Sequence, residues 1–472
     1  MCLLGPAHEE DTPVVGSGAS RAAASSWSGR TARSYRPEQS LEGSPFIHLP
    51  AEFRRQPLTE NAPLQAEPGG TGPPSLLANR RFSLWLGSQT ACNLGYSAWV
   101  ISVLWLAYQI SGTLLLSALV LFVQYGIYSL TSIAGPFADR TRNKRSVFLI
   151  VLPLQAITAT LVGIFATSGL LSEAVLLSAV AVMSLLDDFW WTTSNTVPRI
   201  LVGRDNLLRA SGIQTAFFGA GSLAGYAAGA ALLIFFGAAG GAFLRAAMLT
   251  LSAALLIPVA IPTAPTRVRR LLGSFAEGWS LLWKESGRSL LKIGSLFAAW
   301  GFFVGAPALL ITLFANREYG SSSLDYGLLF TAYMVGVIAS GIAVHRTNPR
   351  RYIGTFLVLA MIAQGATIAL AVVTLPMLVP SAAVWFLVGL ASGVPSTLVY
   401  AYLQAVAPPE AVGRIVSDLE LFPSATGAIG AVVLGVLATV ISPTALGLYL
   451  GLVLVVVGAC ALGVPEVRRM RF

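Results

Sequence analysis

Two adjacent carboxylates, Asp187 and Asp188, stand inside an apolar run that extends from about Ala174 to about Thr193. They come about ten residues before Pro198, roughly 15 Å along a helix axis from that end of the run. A charged Asp near mid-membrane costs about 2.5–3.5 kcal/mol on insertion scales, so such a residue faces a cavity or a partner. No basic residue falls at matching depth in this reading, because Arg245 and Arg317 are placed in or near loops of the opposite side. A carboxylate without a cation there can exchange a proton or hold a cationic group. Neighbouring helix positions point about 100° apart, so the two Asp residues cannot share one cavity equally. The structural alternative is an Asp hydrogen-bonded to a nearby Ser, Thr or backbone group.

Around them the apolar runs carry a polar and aromatic set: Gln89, Asn93, Gln124, Trp190, Trp191, Gln214, Trp300, Tyr333, Tyr400 and Gln404. Ring faces attract cations, and aromatic walls with a few polar groups suit an amphiphilic or weakly basic ligand. Singly, packing or an interfacial aromatic belt accounts for each of them. Together they favour a large hydrophobic substrate over a sugar, whose site would need more amide and charged groups. Catalysis finds no support. The chain has no Walker-type phosphate loop, so ATP is not its direct energy source. His8, His48 and His345 lie outside the runs and make no metal site. The expectation is a non-enzyme without cofactor or metal.

Composition says which elements hold these residues. The chain of 472 residues is 55% hydrophobic and 11% charged, with a mean hydropathy of +0.72. A soluble protein could not cover that much apolar surface. Roughly 20 apolar residues cross the hydrocarbon as a helix. Twelve runs qualify: Phe82–Gln109, Leu114–Ile133, Val147–Thr167, Ala174–Thr193, Ala210–Phe236, Phe243–Ile261, Leu290–Phe314, Leu324–Val344, Ile353–Val373, Leu378–Ala405, Ile415–Ile441 and Ala445–Val464. Barrel strands would alternate over about ten residues instead. The fold class is an all-α membrane protein with twelve transmembrane helices.

The charged loops show how the twelve are arranged. Gly135, Arg140, Thr141, Lys144 and Arg145 follow the second run, and Gly341, Arg346, Thr347, Arg350 and Arg351 follow the eighth. Val202-Gly203-Arg204 after run four is matched by Val412-Gly413-Arg414 before run eleven. Both offsets are close to 210 residues, which predicts two pseudo-symmetric six-helix bundles, as in secondary transporters with a central substrate site. An even number of crossings puts both termini on one side. That side collects Arg140, Arg142, Lys144, Arg145, Arg199, Arg204, Arg209, Arg346, Arg350, Arg351, Arg468, Arg469 and Arg471, so the termini are expected in the cytoplasm. The net charge of +9 is then a topology signal and not a nucleic-acid footprint.

Residues 1–78, rich in Gly, Pro, Ser, Ala and Arg without apolar periodicity, are expected to be a disordered cytoplasmic tail. No apolar segment follows the start, so no cleaved signal peptide is expected. The six-helix bundles fall at 79–262 and 290–465, and 466–472 form a short tail. Between the bundles, 263–289 is a basic linker in which Leu271, Phe275, Trp279 and Leu282 recur at helical spacing. It suits an amphipathic helix, either on the membrane surface or packed on the cytoplasmic helix ends. Cys2, Cys92 and Cys460 form neither a disulfide framework nor a metal pattern.

Gly135-x-x-x-Asp139-Arg140-x-x-x-Lys144-Arg145 resembles the signature loop of the major facilitator superfamily, with Arg142-Asn143 in place of the usual Gly-Arg step. The similarity extends over roughly Arg80 to Pro465. Asn93-Leu-Gly95, then Pro198 with Val202, Asn206, Leu208 and Ala210, then Pro409-Glu410 with Gly413-Arg414, resemble the branch of bacterial drug, macrolide and siderophore exporters. The resemblance implies a cytoplasmic gate in which Gly135, Asp139, Arg140, Lys144 and Arg145 meet Arg414, Asp418 and Glu420 at the start of run eleven. The local alternative is positive-inside charge with an Arg414–Asp418 pair one turn apart. Two features depart from the drug antiporters of that superfamily. Ala174–Leu186 holds no Arg, and run five reads Gly225-Tyr226-Ala-Ala-Gly229-Ala230 where theirs ends Gly-Pro-x-x-Gly-Gly. Gly221, Gly225 and Gly229 keep a four-residue spacing that predicts close helix approach.

The functional expectation is a secondary active transporter of the cell membrane. It would be a proton-driven efflux pump for a hydrophobic small molecule such as an antibiotic, a siderophore or another secondary metabolite. Its partners would be that substrate, protons as coupling ion and the lipid bilayer, with the chain acting as a monomer. A nutrient importer on the same fold and a non-transporting membrane sensor are the alternatives.

Overall fold

Long apolar runs with few breakers form helices. In the computed structural model these are α1 (Arg80–Ser111), α2 (Leu114–Tyr128), α3 (Lys144–Thr167), α4 (Glu173–Ser194), the short α5 (Val197–Val202), α6 (Leu207–Phe236) and α7 (Ala239–Leu256) in the first half. The second half has α8 (Arg288–Gly301), α9 (Ala306–Arg317), α10 (Ser323–Thr347), α11 (Ile353–Val373), α12 (Leu378–Val406), α13 (Val412–Val440) and α14 (Pro443–Leu462). The structure describes residues 76–130, 143–195, 197–202, 206–261, 288–347, 352–406 and 412–464, and no strand occurs among them. The N-terminal tail, most of the signature loop and nearly all of the central linker lie outside the described residues. Below, the side where α1 begins and α14 ends is the terminal side, and the opposite one is the far side.

Eleven described stretches are long and apolar enough to cross a membrane, and α2 is a shorter apolar helix beside them. Local chemistry sets several ends. Asn79 Oδ1 accepts from the backbone N–H of Arg81 and Phe82 at 3.1 and 3.3 Å, meeting donors that the first turn of α1 leaves unpaired. Gly112 stops the helix in the left-handed region at φ 66°, and its N–H returns to the Tyr108 carbonyl. Ser172 caps α4 in the same way as Asn79 caps α1.

Two elements differ from expectation. The seventh run is two helices, because the chain breaks at Phe302–Gly305. Pro307 opens α9, where its missing N–H costs nothing, and three-residue turns (Phe303 N–H to Trp300 O, 2.9 Å; Val304 N–H to Gly301 O, 3.0 Å) keep the break bonded. Irregular backbone at membrane depth persists only when satisfied this way inside protein. The sixth run begins earlier than expected, at Ala239, because only Gly237 and Ala238 separate α6 from α7. That turn is recessed: a methyl on Gly241 would overlap Ser102, which comes nine residues before the far end of α1.

Within the first half, α1 packs on α6 and α7. The expected glycine stripe makes that contact: a side chain on Gly221, Gly225 or Gly229 would run into Thr90, Leu94 or Ala98 of α1. Within the second half, α10 packs on α12 and α11 on α14, and Gly365 and Gly451 bring the α11 and α14 backbones into direct contact. The halves meet along two seams, α2 on α13 and α6 on α10. Leu154, Ile157, Leu161 and Ile164 form an exposed apolar face on α3, and Leu448, Leu452 and Val456 do the same on α14. Such faces suit surrounding hydrocarbon.

Candidate functional site

The carboxylate on α4 has a cation after all. Arg245, inside α7, has a side chain with no exposure and places Nη2 2.5 Å from Asp187 Oδ1. Gln155 of α3 donates to the same oxygen from Nε2 at 2.7 Å. Arg245 also donates from Nη1 to the Cys92 carbonyl of α1 at 2.7 Å, and its guanidinium carbon lies 5.6 Å from the centre of the Tyr96 ring. One ion pair therefore joins α1, α3, α4 and α7. This corrects the expectation that no basic residue reaches the depth of the Asp pair. Arg245 lies in the bundle interior, not near an outer loop, because the recessed α6–α7 turn sets the start of α7 beside mid-α1. A buried charge is retained when paired and hydrogen-bonded, and Arg suits this place because its fork can serve two acceptors at once. The available signal was a basic residue in run six matched to an acidic residue in run four.

Asp188, the next residue, is buried at 3% exposure. It lies within electrostatic reach of Glu420 on α13. Arg145 donates from Nη2 to the Ile257 carbonyl at 2.5 Å, closing the end of α7 in its own half where the gate expectation had it facing run eleven. Lys144 is buried at the start of α3. Gly135, Asp139 and Arg140 lie outside the described residues, as do the side chains of Arg414 and Asp418.

The polar and aromatic set separates into local bonds. Gln89 accepts from Ser194 Oγ at 2.5 Å. Asn93 donates to the Phe218 carbonyl at 2.8 Å and to Ser222 Oγ at 2.5 Å. Gln124 donates to Tyr96 Oη at 3.0 Å, and Tyr96 and Tyr128 share a hydroxyl bond of 3.1 Å. In the other half Trp300 donates to Gln364 at 3.0 Å, and Tyr333 packs edge-on between Phe330 and Trp385. Trp190 is buried and packs beside Trp191, which is 42% exposed and meets Phe218. Gln214 is half-buried. The side chains of Tyr400 and Gln404 lie outside the described residues.

Toward the far side the halves are bonded to each other. Gln109 donates to Asn316 at 3.1 Å, Arg317 donates to Tyr108 at 3.1 Å, and Tyr326 donates to the Ile101 carbonyl at 2.9 Å. The Trp105 and Tyr326 rings lie 4.7 Å apart, and Gly327 leaves no room for a methyl beside Ala230. Sequence reasoning did not single out this closed end.

Comparison with known proteins agrees with this architecture. The sequence pattern of the Major Facilitator Superfamily matches residues 84–417. The chain is 29% identical over 353 residues to the enterobactin exporter EntS of Escherichia coli O1:K1 / APEC, covering 72% of this chain and 80% of that one. It is 30% identical over 352 residues to the EntS of Shigella flexneri, with the same coverage. Among solved structures, an auto-inhibited POT family peptide transporter superposes with a TM-score of 0.66 at 11% identity, over 83% of this chain and 98% of that one. The nucleoside transporter NupG superposes at 0.63 and 13% identity, over 82% and 98%. With helices able to cross a membrane and a family match over most of its length, the chain belongs to the Major Facilitator Superfamily and is an integral membrane transporter of small molecules.

Proposed function

We propose that this transporter exports a hydrophobic small molecule, such as a siderophore, an antibiotic or another secondary metabolite, and draws its energy from the proton gradient. It would act as a monomer in the cell membrane with both termini cytoplasmic. Similarity to relatives named as enterobactin exporters supports the direction. The observation that carries the energy source is the Asp187–Arg245 pair. A proton and Arg245 compete for one carboxylate: while Arg245 holds Asp187 the pair is closed, and a proton on Asp187 releases the guanidinium. Ten per cent of the Asp187 side chain remains exposed, which leaves a route for that proton. Asp188, in reach of Glu420 on the other half, would favour a cation or proton between the halves while they are close. The residues expected at the cytoplasmic gate, Gly135, Asp139, Arg140, Lys144, Arg145, Arg414, Asp418 and Glu420, remain its proposed members.

The test is accumulation of antibiotics, cationic dyes and a catecholate siderophore in cells lacking their own pumps. Parent, Asp187→Asn and Asp188→Asn are compared with and without a protonophore. Lower accumulation that requires the gradient and is lost in Asp187→Asn supports the proposal. Efflux that persists in both variants and ignores the protonophore refutes proton coupling while keeping export. Higher accumulation in cells making the chain would mean import.

A further inference from the structure

We infer that Tyr96 is a positioning residue that carries the state of the Asp187–Arg245 pair to the seam between the two halves. The inference rests on the reading of that pair as the coupling element. Tyr96 touches both sides of the relay. Its ring lies under the Arg245 guanidinium, 5.6 Å from the guanidinium carbon to the ring centre, and its hydroxyl bonds Gln124 at 3.0 Å and Tyr128 at 3.1 Å. Gln124 and Tyr128 belong to α2, the helix of this half that packs on α13 of the other. Tyr125 on the same helix borders Gly305 and Gly427 across the seam, where an added methyl would meet its ring at 3.4 and 3.5 Å.

The physical link is the attraction between a cation and a ring face, which depends on where the cation sits. While Asp187 holds Arg245, the guanidinium stays over Tyr96 and the ring stays where its hydroxyl meets α2. When a proton takes the carboxylate, the guanidinium loses its anion and Tyr96 is free to change its bonds to Gln124 and Tyr128. The groups around the pair are few. Cys92 and Tyr96 face it from α1, Tyr128 from α2 and Gln155 from α3, and Tyr226 of α6 lies in electrostatic reach of Tyr96. Asp188 follows on α4 itself. Among these, Tyr96 has its ring beside the guanidinium of the pair and its hydroxyl bonded to the seam helix.

The experiment measures efflux of a transported dye in proteoliposomes across a pH series, with parent, Tyr96→Phe, Gln124→Leu and Asp187→Asn. Tyr96→Phe keeps the ring beneath Arg245 and removes only the hydroxyl, so the fold is retained, and thermal unfolding in detergent checks this. The expected result is a gradient-driven rate about three- to tenfold lower, the change that losing one or two neutral hydrogen bonds gives. The pH profile should also flatten, with Gln124→Leu following it. A structural role would lower the rate at every pH and leave the shape of the profile unchanged, which overturns the inference. A Tyr96→Phe profile that overlays the parent while Asp187→Asn is uncoupled overturns it too, leaving the coupling pair standing. If Asp187→Asn remains coupled, the pair is not the coupling element and both readings fall.

Discussion

The two halves place the same residue at the same station and surround it differently. Gln155 is the twelfth residue of α3 and Gln364 the twelfth of α11, and both are fully buried. In the first half Gln155 donates to Asp187, which Arg245 also holds. In the second half Gln364 accepts from Trp300. Where α7 brings a guanidinium into the first bundle, α14 brings Gly451 onto the backbone of α11 at Gly365. All buried charged residues among those described belong to the first half: Lys144, Asp187, Asp188 and Arg245. Both scaffolds use glycine contact between helices, and the first adds a buried ion pair to it. In a bilayer, helices associate by close packing without a hydrophobic drive between them, so glycine contact alone can hold the second half. The charges of the first are then available for work, because a buried pair contributes little net stability over an apolar replacement.

The comparison breaks most severely at Arg245. Arg245→Leu strands the Asp187 carboxylate, and loss of one partner of a buried pair is expected to cost about 3–5 kcal/mol. Thermal unfolding in detergent should show a large drop, and the double variant Asp187→Leu with Arg245→Leu should recover much of it. A double variant as unstable as the single one would show that the pair is not what the residues contribute. Next in size is the second half: Gly365→Ala forces α11 from α14, an overpacking cost of about 1–3 kcal/mol, with the pH profile of efflux unchanged. If that profile moves, the division of labour between halves is wrong.

The two glutamines sharpen the contrast at smaller scale. Gln155→Leu and Gln364→Leu each remove a buried bond, with an expected loss of about 0.6–2 kcal/mol. Only Gln155→Leu should alter the pH dependence of transport, because only Gln155 touches a carboxylate. Gln109→Leu at the far-side seam should have the smallest effect, about 0.5 kcal/mol, the low end for a neutral hydrogen bond, since Gln109 is exposed. Its mark would be faster labelling of a cysteine placed near Asn316 from the far side, and unchanged labelling would remove Gln109 from that closure.

Much of the architecture was legible from the chain. Eleven of the expected runs return as helical stretches long and apolar enough to cross a membrane, the seventh with its break, and the remaining run as the shorter α2, because crossing length and apolarity are properties of consecutive residues. The glycine stripe on α6 was legible for the same reason, since small residues four apart lie on one face of a helix. Arg245 was misread because its depth depends on how far the α6–α7 turn is recessed beside α1, which no local pattern records. The break at Phe302–Gly305 escaped notice because the flanking residues are as apolar as any span, and the turn is tolerated only where α13 covers it with Gly427 and Gly430. The polar and aromatic set was recognised by type, yet Gln89, Asn93 and Trp300 hold partners within their own halves.

What the sequence determined by itself was the solvent and the repeat. Long apolar runs separated by basic loops place the chain in a membrane as helices, because hydrophobicity is additive along the chain, and the duplicated loops predict two bundles. Tertiary structure alone decided which charges meet. Asp187 and Arg245 stand 58 residues apart, and their pairing follows from helix order, from the height of one short turn and from the close approach that glycine allows. Coulomb attraction depends on distance through space and not on separation along the chain, so the packing of α7 beside α1 and α4 had to bring Arg245 to Asp187 before the pair could form.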